Sequence, residues 1–507
     1  MSPSQRQRSL RRFSTLLISR ALASKLLGFA REVMMAHVLG ASMIADGFRA
    51  ATVAVLIPLA FLQNESVPAI MIPMHREALE GGNPPRSLGA LTVVIGLMST
   101  LIMLVIQLLG EIWINAIVGG FSPEGRELTL RFVRMMAFGM PASAILNVLA
   151  AGEIALGRTR LTNVRASLLN VAVLAGIGLL VLTGDAFALA CAFTVAFNGL
   201  ALWGLLTLWR EGVLSFSGLT FRIVVAKGAE FSRRLRALLA LPLAEQGNVW
   251  IERLTASRLT TGAVASLDYA RSLTESAVLL ISQPLGMAVL SHHTRDPRAQ
   301  TEALLRPLLA VTLPASAFLL VFSADIVRLI YFRGAFGDEA LLLTSHALKG
   351  VACGVWAATL GWILIRLLNG SGRNGVAAVI IVSGYLVNMG FNLLIPTLSG
   401  SPEAGMLLLG LGEALRSIVL LLGVVIVLGE PRKVLTPMGL ALLPALLMVA
   451  LSLLIQSEIA GMLPRLFVGG LAYLVCLVFA VGLLMPTMVS SAFSRLRRTF
   501  KVRGELS

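Results

Sequence analysis

The residues best suited to chemistry are cations that lie inside long apolar stretches of the chain. Lys25 and Arg31 stand in the first of these stretches with no acidic residue between them. Ammonium and guanidinium groups bind phosphate through charge-assisted hydrogen bonds, and a cation inside a membrane segment usually faces a bundle interior or a water-filled cavity. We therefore interpret Lys25 and Arg31 as ligands of an anionic substrate.

A charged pair recurs at two distant places in the chain. Asp46 and Arg49 open one apolar stretch, and Asp268 and Arg271 open another with the same Asp-x-x-Arg spacing. Positions i and i+3 share a helix face, so each pair can neutralise itself, and a purely structural role is an open alternative. Internal repeats are typical of transporters. We predict Arg49 and Arg271 as substrate ligands, and Asp46 and Asp268 as acidic cavity or coupling residues.

Membrane-spanning helices must position these charges. The 507 residues are 57% hydrophobic and only 13% charged, whereas soluble domains are about 45–50% apolar and about 25% charged. The apolar residues come in repeated runs of about 20, the length of a transmembrane helix, and strand-type alternation is missing. We predict an all-α integral membrane protein with about fourteen transmembrane helices.

The predicted spans form two pseudo-symmetric six-helix lobes around a central cavity, followed by two C-terminal helices. The longest polar connector joins the lobes and is expected to lie on the cytoplasmic membrane surface. The predicted parts are a basic N-terminus (1–12), an N-lobe (13–210), the connector (211–234), a C-lobe (235–428), two further spans (435–488) and a basic tail (489–507).

The charge balance fits a membrane protein better than a nucleic-acid-binding one. The net charge is +16, but the lysines and arginines gather in alternate predicted loops and at both termini. This asymmetry places both termini in the cytoplasm. The three cysteines stand alone and lack metal-ligand spacing. We expect no nucleic acid, no metal, no cofactor and no catalytic residue. A nucleotide-binding motif is missing from the sequence, so we expect a membrane potential or an ion gradient to drive transport.

Two sequence segments carry a family resemblance. Residues 24–32 read SKLLGFARE, and residues 39–48 read LGASMIADGF. They resemble the MurJ/MviN family of the multidrug/oligosaccharidyl-lipid/polysaccharide exporter superfamily, which reads roughly SRxLGFxRD and then GAGxxxDAF. Looser similarity extends over most of the chain. The resemblance implies a multi-pass flippase of the bacterial inner membrane that moves lipid II, an undecaprenyl-pyrophosphate-linked glycan, by alternating access.

The resemblance also implies roles for single residues. Lys25 and Arg31 take the cationic places of span 1, Asp46 takes the acidic place of span 2, and Glu275 takes the acidic place of span 8. The acidic residue of a family acidic-glycine pair is displaced here to Glu65.

Two departures from the family pattern concern arginines. Leu59 and Ser272 stand where the family has an arginine, although Arg271 precedes Ser272 directly. A shift of one position turns a helical side chain by about 100°. The departures leave the cargo open between lipid II and a lipid-linked repeat unit of an exopolysaccharide or O-antigen.

Three further functions compete with a glycan flippase. A cation-coupled multidrug exporter usually needs acidic cavity residues and twelve spans, whereas span 1 here is mainly basic. A membrane glycosyltransferase or polymerase needs a large extramembrane loop with carboxylates, and the longest polar connector contains few. A transporter-like scaffold protein remains a further alternative.

Overall fold

The described part of the protein consists of helices joined by turns and short loops. The structure, a computed structural model, describes residues 24–63, 70–74, 77–78, 84–236, 238–275, 297–429 and 431–486. Within these ranges the regular secondary structure is helical, as the sequence predicts.

Nine helices with defined bounds occupy the described part of the chain up to residue 257, and residues 70–74 and 77–78 are also helical. The nine are α1 (24–39), α2 (Met43–Gln63), α3 (Pro84–Val118), α4 (Pro123–Ala137), α5 (Met140–Ala155), α6 (Arg160–Thr183), α7 (Phe187–Arg210), α8 (Phe221–Arg236) and α9 (Ala240–Ser257).

Nine more helices follow among the described residues after 257. They are α10 (263–275), α11 (Pro297–Val321), α12 (Ser323–Tyr331), α13 (Asp338–Ala352), α14 (Val355–Gly370), α15 (Asn374–Leu398), α16 (Pro402–Leu428), α17 (Pro431–Glu458) and α18 (Met462–Leu484).

The lengths and composition of these helices fit a multi-pass membrane protein. Among the described residues, eight helices are long and apolar enough to cross a membrane, and the number rises to eleven if each of three bent pairs forms one span. The bent pairs are α4 with α5, α11 with α12, and α13 with α14. The first, second, eighth and fourteenth predicted spans continue outside the described ranges, so the total of fourteen stays a prediction.

The chain divides into two compact units. The first unit contains the chain up to Ala265 together with Arg333–Phe336, and the second contains Ser266–Phe332 and the chain from Gly337 onward. The short segment joins the first unit because Ala335 donates a backbone hydrogen bond to the His37 carbonyl at 2.8 Å. The repeat-based division into lobes stays a prediction.

In the first unit, tryptophan side chains tie α2, α3 and α9 together. Trp113 donates its indole N–H to the carbonyl of Ala54 at 3.0 Å, and Trp250 donates to the carbonyl of Ala116 at 2.6 Å. The two indole rings lie 6.1 Å apart. An indole N–H in an apolar environment usually finds such an acceptor, and the Trp113 bond helps fix the position of α2, which carries Asp46 and Arg49.

In the second unit, α13 and α16 cross at close range. A Cβ atom on Gly350 of α13 would overlap the backbone of Leu407 and Leu411 in α16, and one on Gly410 of α16 would overlap the backbone of α13. Small residues allow such close helix crossings in membranes. The first turn of α16 is capped by Ser401, whose hydroxyl accepts the Ala404 N–H at 3.3 Å.

Candidate functional site

A buried carboxylate joins two of the predicted cations in the first unit. Glu32 is 4% exposed and lies on α1 beside Arg31. Its Oε1 atom accepts the Arg31 Nε–H at 3.1 Å, and its Oε2 atom accepts a hydrogen bond from Nη2 of Arg49 at 2.5 Å. Arg31 and Arg49 are thus brought together by one counter-ion, which we call the Glu32 network.

Asn170 of α6 completes the Glu32 network. Its Oδ1 atom accepts a hydrogen bond from Nη1 of Arg31 at 2.9 Å, and its amide nitrogen donates to the carbonyl of Ser24 at 3.3 Å. These bonds orient the Arg31 guanidinium, which is 23% exposed, whereas Arg49 is 7% exposed. Arg31 therefore offers the more accessible guanidinium of the two.

Lys25 lies two turns before Glu32 on α1 and is exposed. Its side chain makes no hydrogen bond or ion pair with another described residue. Lys25, Arg31 and Arg49 carry three positive charges against the one negative charge of Glu32, so these four residues have a net charge of +2 (3 − 1). This excess can attract an anion.

Asp46 stabilises the start of a helix far along the chain. Its Oδ2 atom accepts the Gly262 N–H at 2.6 Å, and its Oδ1 atom accepts the Ala265 N–H at 2.7 Å. The first N–H groups of a helix lack intrahelical acceptors, and an aspartate oxygen satisfies them well. Asp46 therefore caps α10, the helix that later carries Arg271. A coupling role for Asp46 stays a prediction.

The second unit contains a similar arrangement around Glu413 of α16. Arg271 of α10 forms an ion pair with Oε1 of Glu413, and Arg416 approaches Oε2 at 3.9 Å. Asp268 lies 3.9 Å from Arg271, at the limit of an ion pair. Glu413 is 8% exposed. As in the first unit, one buried glutamate lies between two arginines.

Ser272 stands at the position where the sequence resemblance predicts a family arginine. Its hydroxyl lies 2.5 Å from the hydroxyl of Tyr331, and the two rings of Tyr269 and Tyr331 are 5.2 Å apart. The side chain at this position is thus engaged with α12, while Arg271 extends to Glu413. Arg271 and Ser272 therefore contact different helices, as expected for side chains that are about 100° apart around α10.

The other two predicted acidic residues, Glu275 and Glu65, are not part of either glutamate–arginine arrangement in the described structure. Glu275 is exposed, and its side chain makes no hydrogen bond or ion pair with another described residue. Glu65 lies outside the described residues. The sequence interpretation did not assign Glu32, Asn170 or Glu413 to the site. Two sequence features could have indicated the glutamates. Glu32 follows Arg31 directly, and Glu413 precedes Arg416 by three residues.

A separate ion-pair cluster lies at the turn between α5 and α6. Glu211 accepts hydrogen bonds from Arg160 at 2.8 Å and from Arg158 at 2.6 Å, and Arg160 also binds the buried Glu153. The hydrogen bond from Arg160 is the main reason why the pKa of Glu211 lies below its usual value. A cavity of about 780 Å³ adjoins this cluster and is also lined by Trp203.

The fold is that of a polytopic membrane transporter. It is similar to a solved inward-facing multidrug resistance MATE family transporter of the MOP superfamily, with a TM-score of 0.59 and 14% identity over 81% of this chain and 94% of that one. It is also similar to a solved lipid II flippase MurJ in an inward closed conformation. There the TM-score is 0.78 and the identity 16%, over 94% of this chain and all of that one.

A family model described as lipid II flippase MurJ matches residues 35–478 of the chain. The chain therefore belongs to the MurJ family. A probable lipid II flippase MurJ of Aquifex aeolicus is 24% identical over 366 residues, which are 70% of this chain and 71% of the relative. A probable lipid II flippase MurJ of Treponema pallidum is 25% identical over 428 residues, covering 78% of each chain.

Proposed function

We propose that this chain flips lipid II, a polyprenyl-pyrophosphate-linked peptidoglycan precursor, from the inner to the outer leaflet of the bacterial inner membrane. Membership of the MurJ family supports this function, as do the names of the relatives. The observation that carries the proposal is the Glu32 network with the adjacent Lys25, because its excess positive charge suits a pyrophosphate.

The physical problem for such a flippase is the charge of the pyrophosphate. A phosphate anion loses its hydration when it enters a medium of low dielectric constant, and this costs several kcal/mol unless cations compensate. Guanidinium groups bind phosphate oxygens in a bidentate manner, and an ammonium group adds a mobile point charge. We assign Arg31 and Lys25 to the first contact with the pyrophosphate, since both are more exposed than Arg49.

Glu32 gives the network a second property. While the site holds no anion, the carboxylate neutralises part of the charge on Arg31 and Arg49 and fixes their geometry. An incoming pyrophosphate would compete with Glu32 for the same N–H groups. Binding would then be favourable without being so tight that release becomes slow, which is what transport requires. Arg271, held by Glu413 in the second unit, is the further proposed ligand.

The energy source and the orientation are also proposals. The sequence contains no Walker-type nucleotide motif, so a membrane potential or an ion gradient would drive flipping. The distribution of lysine and arginine supports cytoplasmic termini. Alternating access, with the acidic residues Asp268, Glu65 and Glu275 in coupling roles, is the mechanism that we propose.

A second cargo is supported by one observation. Leu59 and Ser272 replace arginines of the family pattern, and the hydroxyl of Ser272 is engaged with Tyr331. A site with a different arrangement of cations could serve another polyprenyl-pyrophosphate-linked glycan, such as an exopolysaccharide or O-antigen repeat unit. The two cargoes share the pyrophosphate and differ in the sugar.

Depletion of the protein in its native host separates these cargoes. We expect lipid II to accumulate on the inner leaflet and the cells to lyse, and a plasmid-borne wild-type copy to prevent both effects. Viable cells that lack a surface glycan and accumulate its lipid-linked precursor would assign the alternative cargo. Normal distribution of both lipid-linked intermediates would refute the flippase proposal.

A further inference from the structure

Helix α8 is amphipathic and packs on the first unit through one face only. Phe231 and Leu235 are buried, and Gly228 lies against the side chain of Val94 in α3. The salt bridges of α8 lie at the flanks of this inner face, where Arg234 binds Glu77 and Glu230. The opposite face of the helix has no role in the proposed flipping.

Three arginines form a stripe along that opposite face. Arg233 and Arg236 follow Arg222 by eleven and fourteen positions. At about 100° per residue, the three side chains fall within roughly 60° of one another around the helix. All three are exposed, and none makes an ion pair or side-chain hydrogen bond with another described residue. We call Arg222, Arg233 and Arg236 the α8 arginine stripe.

Apolar side chains lie directly beside the α8 arginine stripe. Phe221 is 85% exposed and Val225 is 51% exposed. At about 100° per residue, Val225 lies roughly 20° from Arg236 around the helix and Phe221 roughly 60° from it, so both flank the stripe. Exposed aromatic and aliphatic groups next to arginines are characteristic of helices that lie in the interface of a membrane, with cations at the phosphates and apolar groups at the acyl boundary.

The position of α8 in the fold agrees with a membrane surface. Only residues 211–220 separate it from α7, which is long and apolar enough to span a bilayer. The same connector is tied to the beginning of α3, another candidate span, because Ser215 donates a backbone hydrogen bond to the Pro85 carbonyl at 3.0 Å. The Arg86 side chain donates to the carbonyl of Gly218. The connector is therefore held at the end of a candidate span.

We propose that the α8 arginine stripe binds the phosphate groups of anionic phospholipids in the leaflet beneath it. Charge complementarity selects this occupant, since the stripe presents three cations without described counter-ions on an amphipathic helix next to candidate membrane spans. Clusters of basic residues on such helices attract anionic lipids, with roughly a fivefold gain in affinity for each cation near the surface. The bound lipids are distinct from the transported cargo and would anchor the connector on the membrane.

The test uses the full chain in nanodiscs of phosphatidylcholine with and without phosphatidylglycerol. Amide hydrogen exchange of residues 221–236 is measured for the wild type, for Arg222→Gln/Arg233→Gln/Arg236→Gln and for the matched triple lysine variant. We expect phosphatidylglycerol to slow exchange about fivefold or more in the wild type. The glutamine variant should lose this effect, and the lysine variant should retain most of it because it keeps the charge.

Three outcomes would overturn the proposal. Equal exchange in the two lipid mixtures for the wild type would rule out anionic phospholipid as the ligand of the stripe. An acidic protein surface would then be the better candidate. An undiminished phosphatidylglycerol effect in the glutamine variant would assign lipid binding to other residues. If the lysine variant lost the phosphatidylglycerol effect as completely as the glutamine variant, positive charge alone would not explain lipid binding.

Discussion

The carboxylate of Glu32 on α1 lies 2.5 Å from the guanidinium of Arg49 on α2, seventeen positions further along the chain. The same carboxylate also binds Arg31. A buried charge is tolerated when it is paired and hydrogen-bonded, and here one anion serves two cations. The three side chains together keep a net positive charge, which is the property that our proposal assigns to pyrophosphate binding.

The first prediction concerns Glu32. Replacing it with alanine leaves Arg31 and Arg49 close together without their shared counter-ion, so we expect the free energy of unfolding to fall by about 3–5 kcal/mol. Glu32→Gln keeps the shape and should lose less. Denaturant unfolding of the purified protein in detergent measures both. The control is Glu275→Gln, an exposed glutamate, which should change stability by no more than about 0.5 kcal/mol. Equal stability of Glu32→Ala and the wild type would contradict the shared-counter-ion role.

The second prediction concerns the ion pair of Arg271 and Glu413. If the two side chains stabilise each other, a double-mutant cycle with alanine at each position should give a coupling energy of about 0.5–3 kcal/mol. Unfolding of the wild type, both single variants and the double variant supplies the four values. Additive losses would mean that the contact contributes nothing to the stability of the second unit.

The third prediction concerns the cap that Asp46 provides for α10. An asparagine side chain has one oxygen to accept hydrogen bonds, so Asp46→Asn leaves an N–H group of Gly262 or Ala265 without its partner. We expect a loss of about 1–3 kcal/mol and faster amide exchange at these two positions. Asp338→Asn, at the start of α13, serves as a matched control with a smaller loss. Unchanged exchange at Gly262 and Ala265 in Asp46→Asn would remove the capping role.

Sequence patterns are sufficient to predict the membrane class, and they point to several charges that the structure places in ion-pair networks. Apolar runs and isolated cations are properties of local composition and single out Lys25 and Arg31, whereas the Asp-x-x-Arg repeat singles out Arg49. The pairing of charges cannot be predicted in the same way. Local spacing favours Asp46 as the partner of Arg49, yet the oxygens of Asp46 accept backbone N–H groups that are 216 and 219 positions away. Tertiary packing determines such contacts.

The fourth prediction concerns pH and the cluster at the α5–α6 turn. The pKa of Glu211 is lowered from 4.5, chiefly because Arg160 donates a hydrogen bond to its carboxylate. A lowered pKa in the folded state means that Glu211 stabilises the fold above its ordinary pKa, and that this contribution is lost as the pH falls through the lowered value. We therefore expect wild type and Glu211→Gln to differ in unfolding midpoint near neutral pH and to converge once the pH falls below the lowered pKa of Glu211. A difference that is constant across this range would contradict the assignment.

The flipping rate of purified, reconstituted protein tests the central claim most directly. Lipid II with a fluorescent headgroup is placed in proteoliposomes, and its movement between leaflets is followed for the wild type, Lys25→Ala, Arg31→Ala and Lys25→Arg, each checked for insertion and folding. We expect both alanine variants to insert and to lose flipping, and Lys25→Arg to retain it because the charge is kept. Flipping at the wild-type rate by Lys25→Ala or Arg31→Ala would contradict a cationic site for the pyrophosphate.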